Sequence, residues 1–329
     1  MLRTLLLTAL LALPVTAHAD ACTGRNLFTT MPPPEIASLN AKAATQPYAE
    51  GLLWQATKGA RTITLFGSYH LPHEFTEAHL ERLLPLASTA DVTYFEMNAA
   101  DTKRFEREMA QKPDMMFVTS GPTLPSLLTP EEWASVQVKM QARGFPAFMT
   151  AKMKPFFVSM MLGMSPCKMR LMQQGDLGID RALAEALAEE GLPTRSIEDY
   201  RTVATLFDAF SSEKQIEFLR LSLLELVNPD DMVETLYQSY IAEEIALIWE
   251  YTEALSLETG GENAAEDFAL FEQLLLTNRN TAWRSELLAA PEKDILVVVG
   301  AAHFPGENGV LNLLANEGYA ITRLKLNQE

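Results

Sequence analysis

The sequence predicts an α/β fold, with a mixed central β-sheet and a large helical insertion between N- and C-terminal strand elements. Three observations carry this. Ile295 to Val299 is a wholly apolar, mostly β-branched run, as expected of a strand buried on both faces. A helical pattern over Val310–Asn316, closed by Gly318, and a second strand over Tyr319–Leu324 follow it, so the chain ends as β-α-β. Between them, helical periodicity fills the middle of the chain, from roughly residue 100 to 290.

The elements follow in order. Residues 1–19 read as an export leader: Arg3, an apolar run from Leu5 to Leu13, and a small-residue cleavage box at Ala17-His18-Ala19. That run is too short to span a bilayer, and no other stretch is long enough. Residues 20–329 read as a single domain. Pro32-Pro33-Pro34 argues against helix there, with a short helix expected over Glu35–Ala44. Leu52–Ala56 and Thr62–Phe66 read as a hairpin around Lys58-Gly59, and Gly67 is expected to end its second strand. A helix over Glu77–Leu86 leads to a strand over Val92–Met97, which places Glu96 at its carboxyl end. An exposed helix is expected over Ala100–Lys112. Thr129-Pro130-Glu131-Glu132 is a capping box, and its helix should end near Gly144. The Phe- and Met-rich stretch after Pro155 reads as core packing rather than as a groove. Asp180 opens a helix to Glu190, and Pro193–Ile197 is a strand leading to Glu198. Ser212 with Gln215 predicts a capped helix to Val227. Asp231–Leu255 and Ala264–Leu288 read as two long helices.

Composition narrows the function. The hydrophobic share of 48% suffices for a packed core. The net charge of −17 disfavours nucleic acid and anionic lipid as partners and suits cations or metal ions. Cys22 and Cys167 are the two cysteines, and in an exported chain they are expected to form a disulfide. Cys22 lacks the preceding leucine of a lipid-attachment site, which disfavours lipidation.

Two strand-end elements share a spacing: Gly67-Ser68-Tyr69-His70 and Gly300-Ala301-Ala302-His303. Glycine is expected to turn the backbone sharply there, leaving each histidine at the sheet's carboxyl edge, where open α/β sheets bind ligands. With Glu96 and Glu198 at neighbouring strand ends, His70, His303 and Glu96 make a candidate divalent-metal site. Mn²⁺, Co²⁺, Zn²⁺ and Fe²⁺ all suit such mixed donors. One carboxylate would bind the ion and the other would take a proton during hydrolysis, giving His70, His303, Glu96 and Glu198 catalytic roles. The bland alternative has both histidines bonding loop carbonyls. His73 and His79 read as ordinary surface or loop histidines. No G-x-S-x-G elbow surrounds Ser68, which disfavours a serine hydrolase.

These residues resemble a known family. Gly67–His70, strand-end Glu96, Gly178–Asp180, Ser196–Glu198, Arg279-Asn280-x-x-Trp283 and Gly300–Val310 look like the motifs of the TraB/GumN family, in order over most of the chain. Serine stands where the first motif usually has threonine. The family is similar to the Tiki membrane proteases, peptidases that use Mn²⁺ or Co²⁺. By that resemblance His70 and His303 are the paired motif histidines and Glu96 the matching acid. Gly67, Gly300, Asp180, Glu198 and Arg279 occupy further motif positions. The expectation is an exported metal-dependent hydrolase acting on a peptide or small molecule. The alternative is a periplasmic protein that binds such a ligand without cleaving it.

Overall fold

The computed structural model describes residues 22–326, residue 225 excepted, so the expected leader lies outside the described residues. Six strands form one sheet: β1 (Leu53–Lys58), β2 (Arg61–Ser68), β3 (Val92–Phe95), β4 (Thr194–Ser196), β5 (Asp294–Gly300) and β6 (Ala320–Leu324). Their order is β4-β3-β5-β2-β1-β6. The first four in that order run parallel, while β1 is antiparallel to both β2 and β6. The sheet is therefore mixed, as expected, and β4, far inside the helical middle of the sequence, belongs to it.

β5 is buried on both faces because its side chains alternate between two cores. Leu296 and Val298 join Phe66, Phe95, Leu83 and Leu183 on one side. Ile295, Val297 and Val299 join Leu65, Tyr94, Trp283 and Leu311 on the other. Helices Thr76–Thr89 and Ile179–Glu189 cover the first face, and Asn278–Ala289 and Val310–Asn316 the second. A separate helical core gathers Val136, Met140, Val158, Leu162 and Leu219.

Several local expectations need correction. Pro33 and Pro34 begin the helix Pro33–Ala43, because a missing N–H costs nothing in a first turn. The cap expected at Ser212 lies at Ser211, whose Oγ accepts from Lys214 N, and that helix ends at Leu223. The helix expected over Asp231–Leu255 is broken into Pro229–Ile241 and Ile245–Thr259 by Glu243, which has φ 61°. Glu243 is held there by tertiary bonds: its carbonyl accepts from Gly51 N and its carboxylate from Leu52 N and Arg323. A π turn, Gln273–Thr277, interrupts the last long helix.

His73 and His79 are not surface histidines. They pack with Tyr69, Tyr237 and Tyr240, their rings 5.3 Å apart. Burial first, then the neighbouring His79 and Lys168, lowers the His73 pKa to about 4. Burial also lowers that of His79, against the pull of Glu243. A depressed histidine stabilises the fold above its unfolded value of about 6.5 and loses that contribution as pH falls. The urea midpoint should therefore drop between pH 6.5 and 5, with the buried His303 adding to the fall and His70, raised in the folded state, opposing part of it. Equal midpoints at the two pH values would show this account to be wrong.

Cys22 and Cys167 form the expected disulfide across 145 positions of sequence. Reduction should cost about 2–5 kcal/mol, seen as a lower melting temperature in dithiothreitol and matched by a Cys22→Ser/Cys167→Ser double variant. No helix among the described residues is long and apolar enough to cross a membrane.

Candidate active site

Register brings the candidate residues together. β5 lies between β2 and β3, with Val298 opposite both Phe66 and Phe95. The carboxyl ends of these strands are therefore level. Glu96 follows β3, His70 follows β2, and His303 ends the short 3-10 turn Ala301–His303 after β5. Glu198 follows β4 at the sheet edge.

The two motif glycines serve close approach rather than a sharp turn. β2 continues through Gly67 to Ser68, and Gly300 has an ordinary φ of −52°. A Cβ on Gly67 would lie 2.9 Å from Ala301, inside the other motif. A Cβ on Gly300 would lie 3.0 Å from His70 Nε2 and 3.2 Å from Glu96 Oε1. Each glycine thus makes room for the opposite motif. Gly178 is tighter still: its Cβ would meet the His70 carbonyl oxygen at 2.2 Å. Because that obstacle is backbone, Gly178→Ala should displace the His70 segment and destabilise the fold by about 1–3 kcal/mol, read by urea denaturation. An unchanged midpoint would contradict the close contact.

The polar network is dense. His70 Nδ1 donates to Asp180 Oδ2 at 3.2 Å, which turns Nε2 towards Glu96 Oε1, 3.8 Å away. His303 Nε2 is 3.9 Å from the same oxygen. Glu96 Oε1 also accepts from Gly300 N at 2.7 Å. Arg279 lies among them, donating to Glu96 Oε2 at 2.6 Å, to both Glu198 oxygens, and to His303 Nε2 at 3.1 Å. A guanidinium only donates, so His303 Nε2 accepts and Nδ1 carries the proton, which it gives to Asn280 Oδ1 at 2.6 Å. Asn280 in turn donates to the carbonyls of His303 and Asn308. Trp283 Nε1 donates to Glu198 Oε2, and its ring lies 4.2 Å from that of His303.

The charges divide sharply. Enclosure in the cleft pulls the His70 pKa down, but the Asp180 charge and hydrogen bond and the Glu96 charge outweigh it and raise it to about 9. Burial alone would raise Glu96; His70 and Arg279 instead hold it far below the usual carboxylate range. His303, 4% exposed, is lowered to about 3 by burial. Burial raises the Glu198 pKa, with Arg279 opposing. At neutral pH the centre therefore holds a charged His70, an ionised Glu96 and a neutral His303.

The structure thus brings His70, His303, Glu96 and Asp180 to one point, while Glu198 sits against Arg279 and Trp283 rather than against either imidazole. Asn280 and Trp283 stood in the Arg279–Trp283 motif without an assigned role. The i, i+4 spacing of Arg279 and Trp283 on one helix was the signal that those two share a face; Asn280, one residue on from Arg279, carried no such signal. His70, Glu96, Asp180 and Glu198 border a cleft of about 480 Å³, also lined by Ser68, Phe105 and Met109. Ser68 Oγ and Asp180 Oδ1 are buried with no partner among the described residues.

Two imidazole nitrogens and a carboxylate oxygen are suitable donors for a divalent ion. Bonds of roughly 2.0–2.2 Å place such donors roughly 3.0–3.5 Å apart. The separations of 3.8 and 3.9 Å are somewhat wider, and Arg279 occupies the His303 lone pair. Among the described residues no three His, Cys, Asp or Glu side chains stand close enough to hold an ion as arranged.

Fold and site together define an α/β protein with a charged cleft at the carboxyl ends of its parallel strands. The chain belongs to the TraB/PrgY/gumN family, whose model matches residues 52–323. No curated protein matches it significantly.

Proposed function

We propose that this protein is an exported metal-dependent hydrolase, most simply a peptidase, with His70, His303 and Glu96 holding a divalent ion. One observation carries the reading: imidazoles from opposite ends of the chain approach a single carboxylate oxygen, that of Glu96, at 3.8 and 3.9 Å. The donor types fit an ion; the adjustments needed are a contraction of about 0.5 Å, loss of the His70 Nε2 proton as the ion binds, and a shift of Arg279 off His303. When bound, the ion would supply an activated water and a polarised carbonyl. Asp180 orients His70 through Nδ1, and Asn280 orients His303 through Nδ1, so both Nε2 atoms are directed towards Glu96 Oε1. Arg279 neutralises Glu96 and Glu198.

The test is metal titration of the purified protein with Mn²⁺, Co²⁺ and Zn²⁺ beside a peptide-library cleavage assay. Stoichiometric binding, and cleavage lost to a chelator and restored by metal, are expected. Binding of peptide with no cleavage under any loading would replace this reading with that of a ligand-binding protein.

A further inference from the structure

A second cavity, of about 670 Å³, lies among the helices Pro155–Gly163, Ser212–Leu223, Pro229–Ile241, Ile245–Thr259 and Ala264–Glu272. Its walls are apolar: Phe156, Met160, Leu221, Leu255, Phe268 and Leu275. The charged side chains at its rim are engaged within the chain. Lys139 donates to the Leu223 carbonyl, Arg143 to those of Leu162 and Met164, and Asp267 pairs with Lys214. The groove therefore offers an occupant hydrophobic contact and no unpaired charge.

This groove adjoins the candidate active site. Val203 lines both cavities. Leu275 lies in the π turn Gln273–Thr277, and its carbonyl accepts from Arg279 Nη1 at 3.1 Å. That turn shifts the phase of the helix, so Phe268 and Leu275 line the groove while Arg279, one turn on, reaches Glu96. The adjoining cleft keeps an acidic balance: its lining carries Glu96, Glu106, Asp180, Glu185, Glu198 and Asp199 against Lys103, Arg181 and His70, with Arg279 bound to Glu96 and Glu198.

We infer that the groove is the apolar subsite of the cleft and takes the hydrophobic run of an extended peptide whose adjoining residue is basic. The charge pattern selects this occupant. A fatty acid would bring its carboxylate to a cleft already lined with carboxylates, whereas a lysine or arginine beside an apolar run complements it. The direction of the substrate rests on the hydrolytic reading; its binding does not.

Binding is measured by fluorescence anisotropy on His303→Asn protein, in which turnover is removed, with a labelled short peptide carrying lysines ahead of a leucine run. Val203→Glu and Met160→Glu replace side chains that are each 39% exposed, so both variants should keep the wild-type melting temperature. Each should weaken binding about tenfold or more, and so should exchanging the peptide's lysines for glutamates. Affinity indifferent to both groove variants, or laurate bound more tightly than the peptide, overturns the inference. Groove-dependent binding with no cleavage by metal-loaded wild-type protein leaves the subsite standing and removes the hydrolytic reading. Metal-dependent cleavage that ignores the groove variants does the reverse.

Discussion

Arg279→Met should lower the melting temperature by roughly 5–10 °C, the largest stability effect expected of any single side chain in the cleft. Arg279 is 5% exposed and holds two half-buried carboxylates, Glu96 and Glu198, together with the Nε2 of His303. Its guanidinium also stacks 4.8 Å from the Trp283 ring. Removing one partner of a buried ion pair leaves the other charge uncompensated, which costs about 3–5 kcal/mol. In a chain of this size each kcal/mol moves the melting temperature by roughly 2 °C or somewhat less. Arg279→Lys should recover only part of the loss, since a single ammonium cannot present a planar fork to Glu198 while reaching Glu96 and His303. Adding Glu198→Gln to Arg279→Met should restore some stability by removing one orphaned charge. A melting temperature for Arg279→Met within 1 °C of the wild type would mean that solvent, not Arg279, satisfies these carboxylates.

The largest functional effect is expected at the two histidines. On the hydrolytic reading, His303→Asn and His70→Ala should each lower peptide turnover by about 10²–10⁴-fold and weaken binding of the ion. His303→Asn is the gentler replacement because His303 is buried against Trp283 and Asn280, where alanine would leave a void and two unpaired polar atoms. Asp180→Asn should fall between wild type and His70→Ala, at about 10–100-fold in turnover or metal affinity, because it orients His70 rather than facing Glu96. Circular dichroism and metal titration on the same samples separate loss of chemistry from loss of fold. Full turnover in either histidine variant would remove that residue from the reaction.

Much of the candidate site could be read from the chain. His70 and His303 share a spacing from a glycine at the end of an apolar strand, and Glu96 follows a strand of its own. Periodicity and length locate such strand ends because burial on both faces selects apolar side chains at every position. Arg279 was less legible: it sits in an ordinary helical stretch, and its role depends on charges more than 80 positions away. The π turn before it, the break at Glu243 and the burial of His73 and His79 were also hidden. Each is held by tertiary contacts that local propensity does not encode. The purpose of the motif glycines was misread for the same reason, since the atoms that exclude a Cβ at Gly67 and Gly300 belong to the opposite end of the chain.

By itself, then, the amino-acid order determined the class of fold, the doubly buried β5, the closing β-α-β unit, the disulfide partners and the identity of the strand-end histidines. These follow from side-chain alternation, capping chemistry and cysteine number, all of which act locally or by elimination. Only the tertiary structure decided that β5 lies between β2 and β3, and hence that His70 and His303 meet at Glu96. It alone placed Arg279 among them and an apolar groove beside them. Strand order and helix phase arise from packing between segments distant in sequence, and no local pattern records which neighbour a strand will choose.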